Sequence, residues 1–360
     1  MTRKLLILNG LAILGVTIQH ANAYGMQAMF FWTDRYLPVS VPNFDQLDSL
    51  AYYLTLTTRQ LATFAVPAFL FISGFFIAFM ARGDESRITW KVIVSRLKFL
   101  VIPFIIWTCV RFLMLGRIPS SVEEVLGPYH FIPMLIQFYL ISPILVPVAK
   151  RWGKELLIGV AALHLGLQTV NYVNGLGLEY GSQQIIQSMT PRWFILGQQP
   201  FWFPFGLVAG LHIQQFQSWL ARTKRVFLTG AVALAPAAIL EYQFVDKLNG
   251  EPWLSPAFGG FTRTFFILAF ILWFLAMEKE SLPFPENLSK LGARSLGIYL
   301  GNIPFVYVVA VFMYHVTPRM LGHQFFYQAI LFSAGLFGPL LLMEAVRRSP
   351  ARRWYRHVFG

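Results

Sequence analysis

The chain has 360 residues, of which 56% are hydrophobic and only 12% are charged. Because soluble proteins carry about 25% charged residues, this balance excludes an ordinary soluble enzyme and an intrinsically disordered chain. Cys109 is the only cysteine, so neither an intramolecular disulfide nor a thiolate metal cluster can form. The formal net charge of +13 would favour a nucleic-acid partner in a soluble protein, but here the basic residues lie between apolar runs and we expect no nucleic-acid partner.

In chain order, apolar runs of about 20 residues, the length that crosses a bilayer, alternate with charged or Gly- and Pro-rich breaks. The pattern predicts an all-α integral membrane protein with about ten transmembrane helices, organised as one polytopic domain over residues 1–360. The predicted spans are 5–23, 61–81, 97–115, 129–149, 155–173, 201–216, 226–242, 259–277, 295–315 and 326–346.

Lysine and arginine mark one side of the membrane. If the N-terminus lies inside, most of the 29 basic residues fall in the inner segments, which predicts cytoplasmic N- and C-termini. The basic group between Arg347 and Arg356 is typical of a tail that binds the headgroups of membrane lipids.

The first predicted span carries two polar side chains, Asn9 and His20, eleven residues apart. Eleven residues are about three helical turns, so both side chains lie on one helix face. Polar groups within a bilayer are costly and are therefore functional candidates. A neutral imidazole at His20 can act as general base toward a hydroxyl; the alternative is a histidine that only hydrogen-bonds a neighbouring helix.

Two further spans carry polar residues at helical spacing. His130 and Gln137 are seven residues apart in the fourth span, and the ninth places Ser295, Tyr299 and Asn302 at i, i+4 and i+7. Amides and hydroxyls in membrane helices more often join helices than catalyse. These candidates line one cavity with His20 only if the three helices meet.

A basic cluster precedes and opens the third span. Its spacing suits a phosphate-bearing ligand as well as anionic lipid, whereas Lys98 taken alone is best explained as a positive-inside residue. No motif for nucleotide, zinc or serine-hydrolase chemistry is present, and the other histidines lack ligand spacing, so we expect no metal. The members are Arg82, Arg87, Lys91, Arg96 and Lys98.

Four segments together resemble the membrane-bound acyltransferase 3 family. Members of that family move acyl groups, commonly acetyl or succinyl, from a cytoplasmic thioester onto sugars or other hydroxyls outside. Weaker similarity follows in FPFGLVAG and KLGARSLGIYLGNIP. The four segments are LNGLAILGVTIQH, which ends at His20, FAVPAFLFISGFF around Ser73, SRLKFLVIPFIIW, and YHFIPMLIQFYLISPIL.

The resemblance implies roles for single residues. It identifies His20 as similar to the family's essential histidine, Arg96 to its basic residue before the third helix, and His130 to the histidine that opens the fourth. Arg59 is similar to an arginine often seen ahead of the segment that contains Ser73.

The chain departs from the family pattern at two positions. The family usually has a basic residue where this chain has Asn9, and commonly a histidine where this chain has Asn302. Both departures remove a side chain that can carry a positive charge in the family's site.

The resemblance implies an acyl-CoA-dependent O-acyltransferase of a bacterial inner membrane. The donor would be acetyl-CoA or succinyl-CoA, its phosphates held by Arg87, Arg96 and Lys98, and the acceptor an envelope polysaccharide, glycan or lipid-linked sugar. His20 would act as general base, with Arg59, Tyr299 or Asn302 at the oxyanion; an acyl-histidine relay is the alternative within the same enzyme. The rival from another class is a polysaccharide or lipid transporter, and a catalytically dead relative is a third.

Overall fold

The computed structural model describes residues 1–29, 49–81, 90–176, 190–197, 199–249, 260–278 and 284–360. Within these ranges every regular element is a helix, which confirms the predicted all-α class. Leucine, isoleucine, phenylalanine and alanine dominate the helices, and such residues leave no polar side chain to compete with the backbone hydrogen bonds.

The described residues of the first half of the chain form seven α-helices. Short 3₁₀ turns and glycine or serine breaks separate them; Ser49 and Ser121, for example, each accept a hydrogen bond from a backbone N–H in the first turn that follows. The helices are α1 (Thr2–Gln27), α2 (Leu50–Leu61), α3 (Ala65–Met80), α4 (Trp90–Leu115), α5 (Val122–Leu126), α6 (Phe131–Arg151) and α7 (Gly153–Gly175).

The second half of the described chain forms seven more. Three contain an internal proline, which is tolerated in membrane helices where neighbouring groups take over the freed carbonyl. The helices are α8 (Trp202–Leu211), α9 (Ile213–Asn249), α10 (Phe261–Ala276), α11 (Pro285–Ala293), α12 (Ser295–Val316), α13 (Gln324–Arg348) and α14 (Tyr355–Phe359).

By length and composition, eight helical stretches in the described residues can cross a membrane, which confirms an integral membrane protein. The predicted spans 201–216 and 259–277 coincide with shorter apolar helices, α8 and α10. The count of ten and the side on which the termini lie therefore stay predictions. Large apolar side chains such as Leu113, Ile144 and Leu341 are exposed, as expected for surfaces that face lipid.

The chain divides into two compact units, and the single-domain organisation stays a prediction. The first unit consists of Met1–Leu8, Val66–Val101 and Pro119–Pro285. The second consists of Asn9–Ala65, Ile102–Ile118 and Glu286–Gly360.

In the first unit, α3 and α8 pack backbone to backbone. A side chain at Gly74 would meet the carbonyl of Phe203, and one at Gly206 would meet the carbonyl of Phe71. Small residues permit such an approach between membrane helices. The Phe138 and Phe203 rings stack at 4.7 Å beside this contact, so α6 joins the same core.

In the second unit, α1 packs against the segment that leads into α12, and α12 pairs with α13. A side chain at Gly10 would overlap the backbone of Leu288, which shows how closely α1 and α11 approach. Trp107 of α4 donates from Nε1 to the carbonyl of Val358 at 2.8 Å and ties the C-terminal helix to this core.

Candidate active site

The candidate site is built on a contact between α1 and α12 in the second unit. His20 lies toward the end of α1 and is half-buried, and Asn302 lies two turns into α12 and is fully buried. His20 Nδ1 is 2.6 Å from Asn302 Oδ1. The structure thus brings together two of the residues that the sequence analysis selected.

The bonds of Asn302 fix the orientation of its amide. Asn302 Nδ2 donates to the carbonyl of Gly335 at 3.0 Å and to Thr17 Oγ1 at 3.0 Å. A backbone carbonyl only accepts, so the NH₂ group must face Gly335 and the amide oxygen must face His20. His20 Nδ1 therefore carries the hydrogen and donates it, which leaves Nε2 with a free lone pair. Thr17 completes the network by donating to the carbonyl of Ile13 at 2.9 Å.

A proline explains why the Gly335 carbonyl accepts this bond. In a regular α13 that carbonyl would accept from the N–H four residues later, but position 339 is Pro339, which has no N–H. The carbonyl is thus released for Asn302. Gly335 also lacks a Cβ, which would otherwise crowd Asn302 Nδ2 and Thr17.

Asn9 makes a second contact between the same helices. Its Nδ2 donates to the carbonyl of Gly292 and to Ser295 Oγ, both at 2.7 Å. The contacts ascend along both helices from Asn9 to His20 and from Ser295 to Asn302, so α1 and α12 run parallel. Both donor hydrogens of the Asn9 amide are thereby used in helix packing.

The end of α1 beyond His20 is polar as well. Asn22 donates to Thr58 Oγ1 at 3.0 Å, and the Arg111 guanidinium lies close enough to the Tyr24 phenol to act on it electrostatically. Arg59 of α2 is buried in the same unit, and Tyr299 of α12 is buried as well. A buried arginine supplies a fixed positive charge and up to five donors.

The first unit holds a separate polar group on α3, α4 and α6. Ser73 and Tyr139 share a hydrogen bond, and Arg96 acts electrostatically on the same phenol. Arg96 is exposed and its guanidinium also reaches Met80 Sδ at 3.5 Å. Lys98 is exposed on the same helix. Arg87 lies outside the residues that the structure describes.

His130 and Gln137 have structural partners in the first unit. His130 Nδ1 donates to the carbonyl of Gly127 at 3.2 Å at the start of α6. Gln137 Nε2 donates to the carbonyl of Trp193 at 2.7 Å, and its Oε1 accepts from Ile195 N at 3.4 Å. The glutamine thus anchors the segment that precedes α8.

That anchored segment carries a half-buried cation, Arg192, outside the predicted spans. Burial lowers the pKa of Arg192, and the Glu123 carboxylate counteracts the effect. Trp193 Nε1 donates to the same carboxylate at 2.8 Å. The guanidinium and the indole together hold α5 against this segment.

The sequence analysis missed several groups that complete these networks. The Gly335 carbonyl and Pro339 carry no polar side chain, so no pattern of polar residues could point to them. Tyr139 and Arg111 were visible as polar residues in apolar spans, and that signal would have found them. Among the described residues no group of three or more His, Cys, Asp or Glu side chains is placed to hold a metal ion.

Comparison with known proteins gives one match. A family model described as an acyltransferase domain matches residues 6–344, which is nearly the whole chain. The matched range includes His20 and Asn302 of the second unit and Ser73, Arg96 and Tyr139 of the first. No curated protein and no solved structure matches the chain.

Proposed function

This chain belongs to the acyltransferase 3 family, and from that premise we propose that it transfers an acyl group from a cytoplasmic acyl-CoA to a sugar hydroxyl. Acetyl is the first candidate for the acyl group and succinyl the second. The acceptor is an envelope polysaccharide, glycan or lipid-linked sugar at a bacterial inner membrane.

The observation that carries the proposal is the pair formed by His20 and Asn302. The Asn302 carbonyl holds the hydrogen on Nδ1, so the opposite ring nitrogen, Nε2, has the lone pair that a general base needs. An asparagine in this place orients the ring and stabilises the imidazolium without adding a negative charge.

The reaction then follows from the pair. His20 Nε2 takes the proton of the acceptor hydroxyl as its oxygen attacks the thioester carbonyl. The tetrahedral intermediate collapses, the carbon–sulfur bond breaks, and the imidazolium returns the proton to the leaving thiolate. An ester and free CoA result, and His20 regains its starting tautomer.

Two buried groups of the same unit are candidates for stabilising the oxyanion. Arg59 of α2 offers a charged donor and Tyr299 of α12 a phenolic one, and both side chains are buried. Arg96, Lys98 and Arg87 are candidates for holding the phosphates of CoA, because guanidinium and ammonium groups bind phosphate by charge-assisted hydrogen bonds.

The test is acyl transfer by purified protein in detergent with radiolabelled acetyl-CoA. His20→Ala should lower turnover by about 100-fold or more, the usual contribution of general-base catalysis. His315→Ala is the matched control, since His315 is exposed at the far end of α12. Full turnover by folded His20→Ala protein would remove His20 from the mechanism, and a wild-type protein indifferent to acyl-CoA would favour a transporter.

A further inference from the structure

The basic tail between Arg347 and Arg356 divides into two parts that differ in their partners. Arg347 donates from Nε and Nη2 to the two carboxylate oxygens of Glu344, at 2.9 and 2.8 Å, and Arg348 donates from Nε to the same carboxylate. Bidentate contacts of this kind are the strong form of the arginine–carboxylate pair. The first two arginines of the tail therefore share one negative charge on α13.

The three later arginines of the tail have no such carboxylate. Arg352, Arg353 and Arg356 are exposed, and none of them forms an ion pair with a residue that the structure describes. Glu286 and Glu344 are the only acidic residues in the described part of the second unit, and Glu344 is already bonded to two arginines. The positive charge of these three arginines is thus left for a partner outside the described chain.

The segment that carries these arginines is packed against the core of the second unit. Ser349 caps the 3₁₀ turn Pro350–Trp354, which follows α13 directly. Phe359 of α14 is only 2% exposed, and its ring centroid lies 6.1 Å from that of Trp107 in α4. A side chain at Gly297 of α12 would come within 3.1 Å of the Phe359 Cβ. The segment therefore holds its arginines in a defined place.

That place is the boundary of the membrane. Both α12 and α13 are long and apolar enough to cross a bilayer; α13 ends at Arg348 and α12 begins at Ser295. Because Phe359 packs against Gly297 in the first turn of α12, the C-terminal segment lies beside both of these helix ends. The ends of membrane-spanning helices lie at the level of the lipid headgroups. In the predicted orientation this is the inner face, where anionic phospholipids make the surface negative.

An exposed tryptophan lies among the three arginines. The side chain of Trp354 is 53% exposed, and the guanidinium of Arg353 lies 5.7 Å from its ring centroid. Tryptophan is enriched where a membrane meets water, because its ring is apolar and its indole N–H is polar. A surface that combines an exposed indole with unpaired guanidinium groups matches a partner that has both apolar chains and a negative phosphate.

We propose that Arg352, Arg353 and Arg356, together with Trp354, form a binding site for the headgroup of an anionic phospholipid. Guanidinium groups bind phosphate by charge-assisted hydrogen bonds, and a lipid with net negative charge supplies the charge that this part of the chain lacks. A bound lipid would hold the C-terminal segment against α4 and α12. The inference does not rest on the proposed function, since it requires neither an acyl donor nor an acceptor.

The experiment counts the lipids bound to the full-length protein by native mass spectrometry in detergent, with phosphatidylglycerol and phosphatidylcholine titrated separately. The wild type should bind phosphatidylglycerol at least about fivefold more tightly than phosphatidylcholine, which has the phosphate but no net charge. Combining Arg352→Gln, Arg353→Gln and Arg356→Gln should weaken phosphatidylglycerol binding by about tenfold or more. The control removes three exposed charges from the first unit and should keep the wild-type affinity; it combines Lys154→Gln, Arg222→Gln and Arg225→Gln.

Four results would overturn the proposal. They are equal affinity of the wild type for the two lipids, unchanged binding by the triple variant of the tail, an equal loss in both triple variants, and displacement of phosphatidylglycerol by CoA, which would assign the arginines to a soluble phosphate ester. A thermal midpoint close to that of the wild type shows that each variant is folded. Each single Arg→Gln variant should weaken binding by up to about fivefold, so the site is tested even if the triple variant does not fold. Turnover of acetyl-CoA is measured on the same samples, and lipid binding without turnover contradicts the proposed function alone.

Discussion

At the scale of single residues, one hydrogen bond decides which nitrogen of His20 is available. Asn302 donates to Gly335 and Thr17 and accepts from His20, so its amide has one satisfied orientation. The same amide would stabilise the imidazolium that forms when the ring takes a proton. In the proposed mechanism Asn302, which stands where the family commonly has histidine, would therefore be a positioning residue.

Asn302→Ala should lower kcat by about 10- to 100-fold, in the range seen when partners that orient a functional histidine are removed. The KM for acetyl-CoA should change little, because the ring itself remains. Steady-state kinetics of purified protein give both values. Gln328→Ala is the control, since it removes an amide of α13 that bonds Thr55 and not His20. A kcat equal to that of the wild type would show that Asn302 only joins helices.

His20 and Asn302 were selectable from the sequence because polar residues in apolar spans are few. Their pairing was not predictable, since it depends on which face of α12 meets α1. Gln137 illustrates the opposite outcome, because its helical spacing with His130 placed both on one face, yet its amide bonds the backbone at Trp193 and Ile195. Spacing alone does not distinguish a polar side chain that packs from one that reacts.

At the scale of elements, Pro339 of α13 lacks the N–H that would occupy the Gly335 carbonyl, so this carbonyl accepts from Asn302 instead. Pro339→Ala would restore an N–H that competes with Asn302 for the Gly335 carbonyl. We expect a helix that is more stable by up to about 3 kcal/mol, the helix penalty of proline, together with a lower kcat. Thermal unfolding and turnover are measured on the same protein.

Pro236→Ala is the matched control for that experiment, since Pro236 is exposed in the middle of α9 in the first unit. It should raise stability and leave kcat unchanged. Equal kcat in Pro339→Ala and the wild type would mean that the Asn302 amide holds its place without the released carbonyl.

The contact between α3 and α8 makes a prediction about packing. Gly206→Ala would place a methyl group against the carbonyl of Phe71, and overpacking of this kind costs about 1–3 kcal/mol. Gly159→Ala should instead stabilise α7 by about 0.5–1 kcal/mol, because no described atom lies within 4 Å of its new Cβ. Thermal midpoints in detergent should move in opposite directions, and a neutral Gly206→Ala would contradict the close approach.

At the scale of the whole molecule, the distribution of basic residues predicts that both termini lie inside. The only cysteine, Cys109, can be replaced by alanine, after which single cysteines report the two sides. We expect Ser120→Cys to react with an impermeant maleimide on intact cells, and cysteines at Thr2 and Gly360 to react only after lysis. Labelling of either terminus in intact cells would overturn the predicted orientation.

The membrane-protein class was predictable from composition, because hydropathy reports whether a helix is more stable in lipid than in water. The number of membrane-spanning helices is harder to predict than the fold class, because apolar runs of similar hydropathy can form helices of different length. The apolar runs at α8 and α10 are helices of 10 and 16 residues, shorter than the hydrocarbon core requires of a straight helix, and sequence hydropathy does not reveal where a helix ends.

The distance along the chain between His20 and Asn302, 282 residues, has a consequence for biosynthesis. A ribosome adding about 5–20 residues per second needs roughly 15 to 55 s to reach the second partner after the first. During that interval α1 carries the His20 imidazole and the Asn9 amide, while their partners Asn302 and Ser295 have not yet been synthesised. The contact between the two helices can therefore form only after most of the chain has been synthesised, and we expect any product truncated before α12 to lack it.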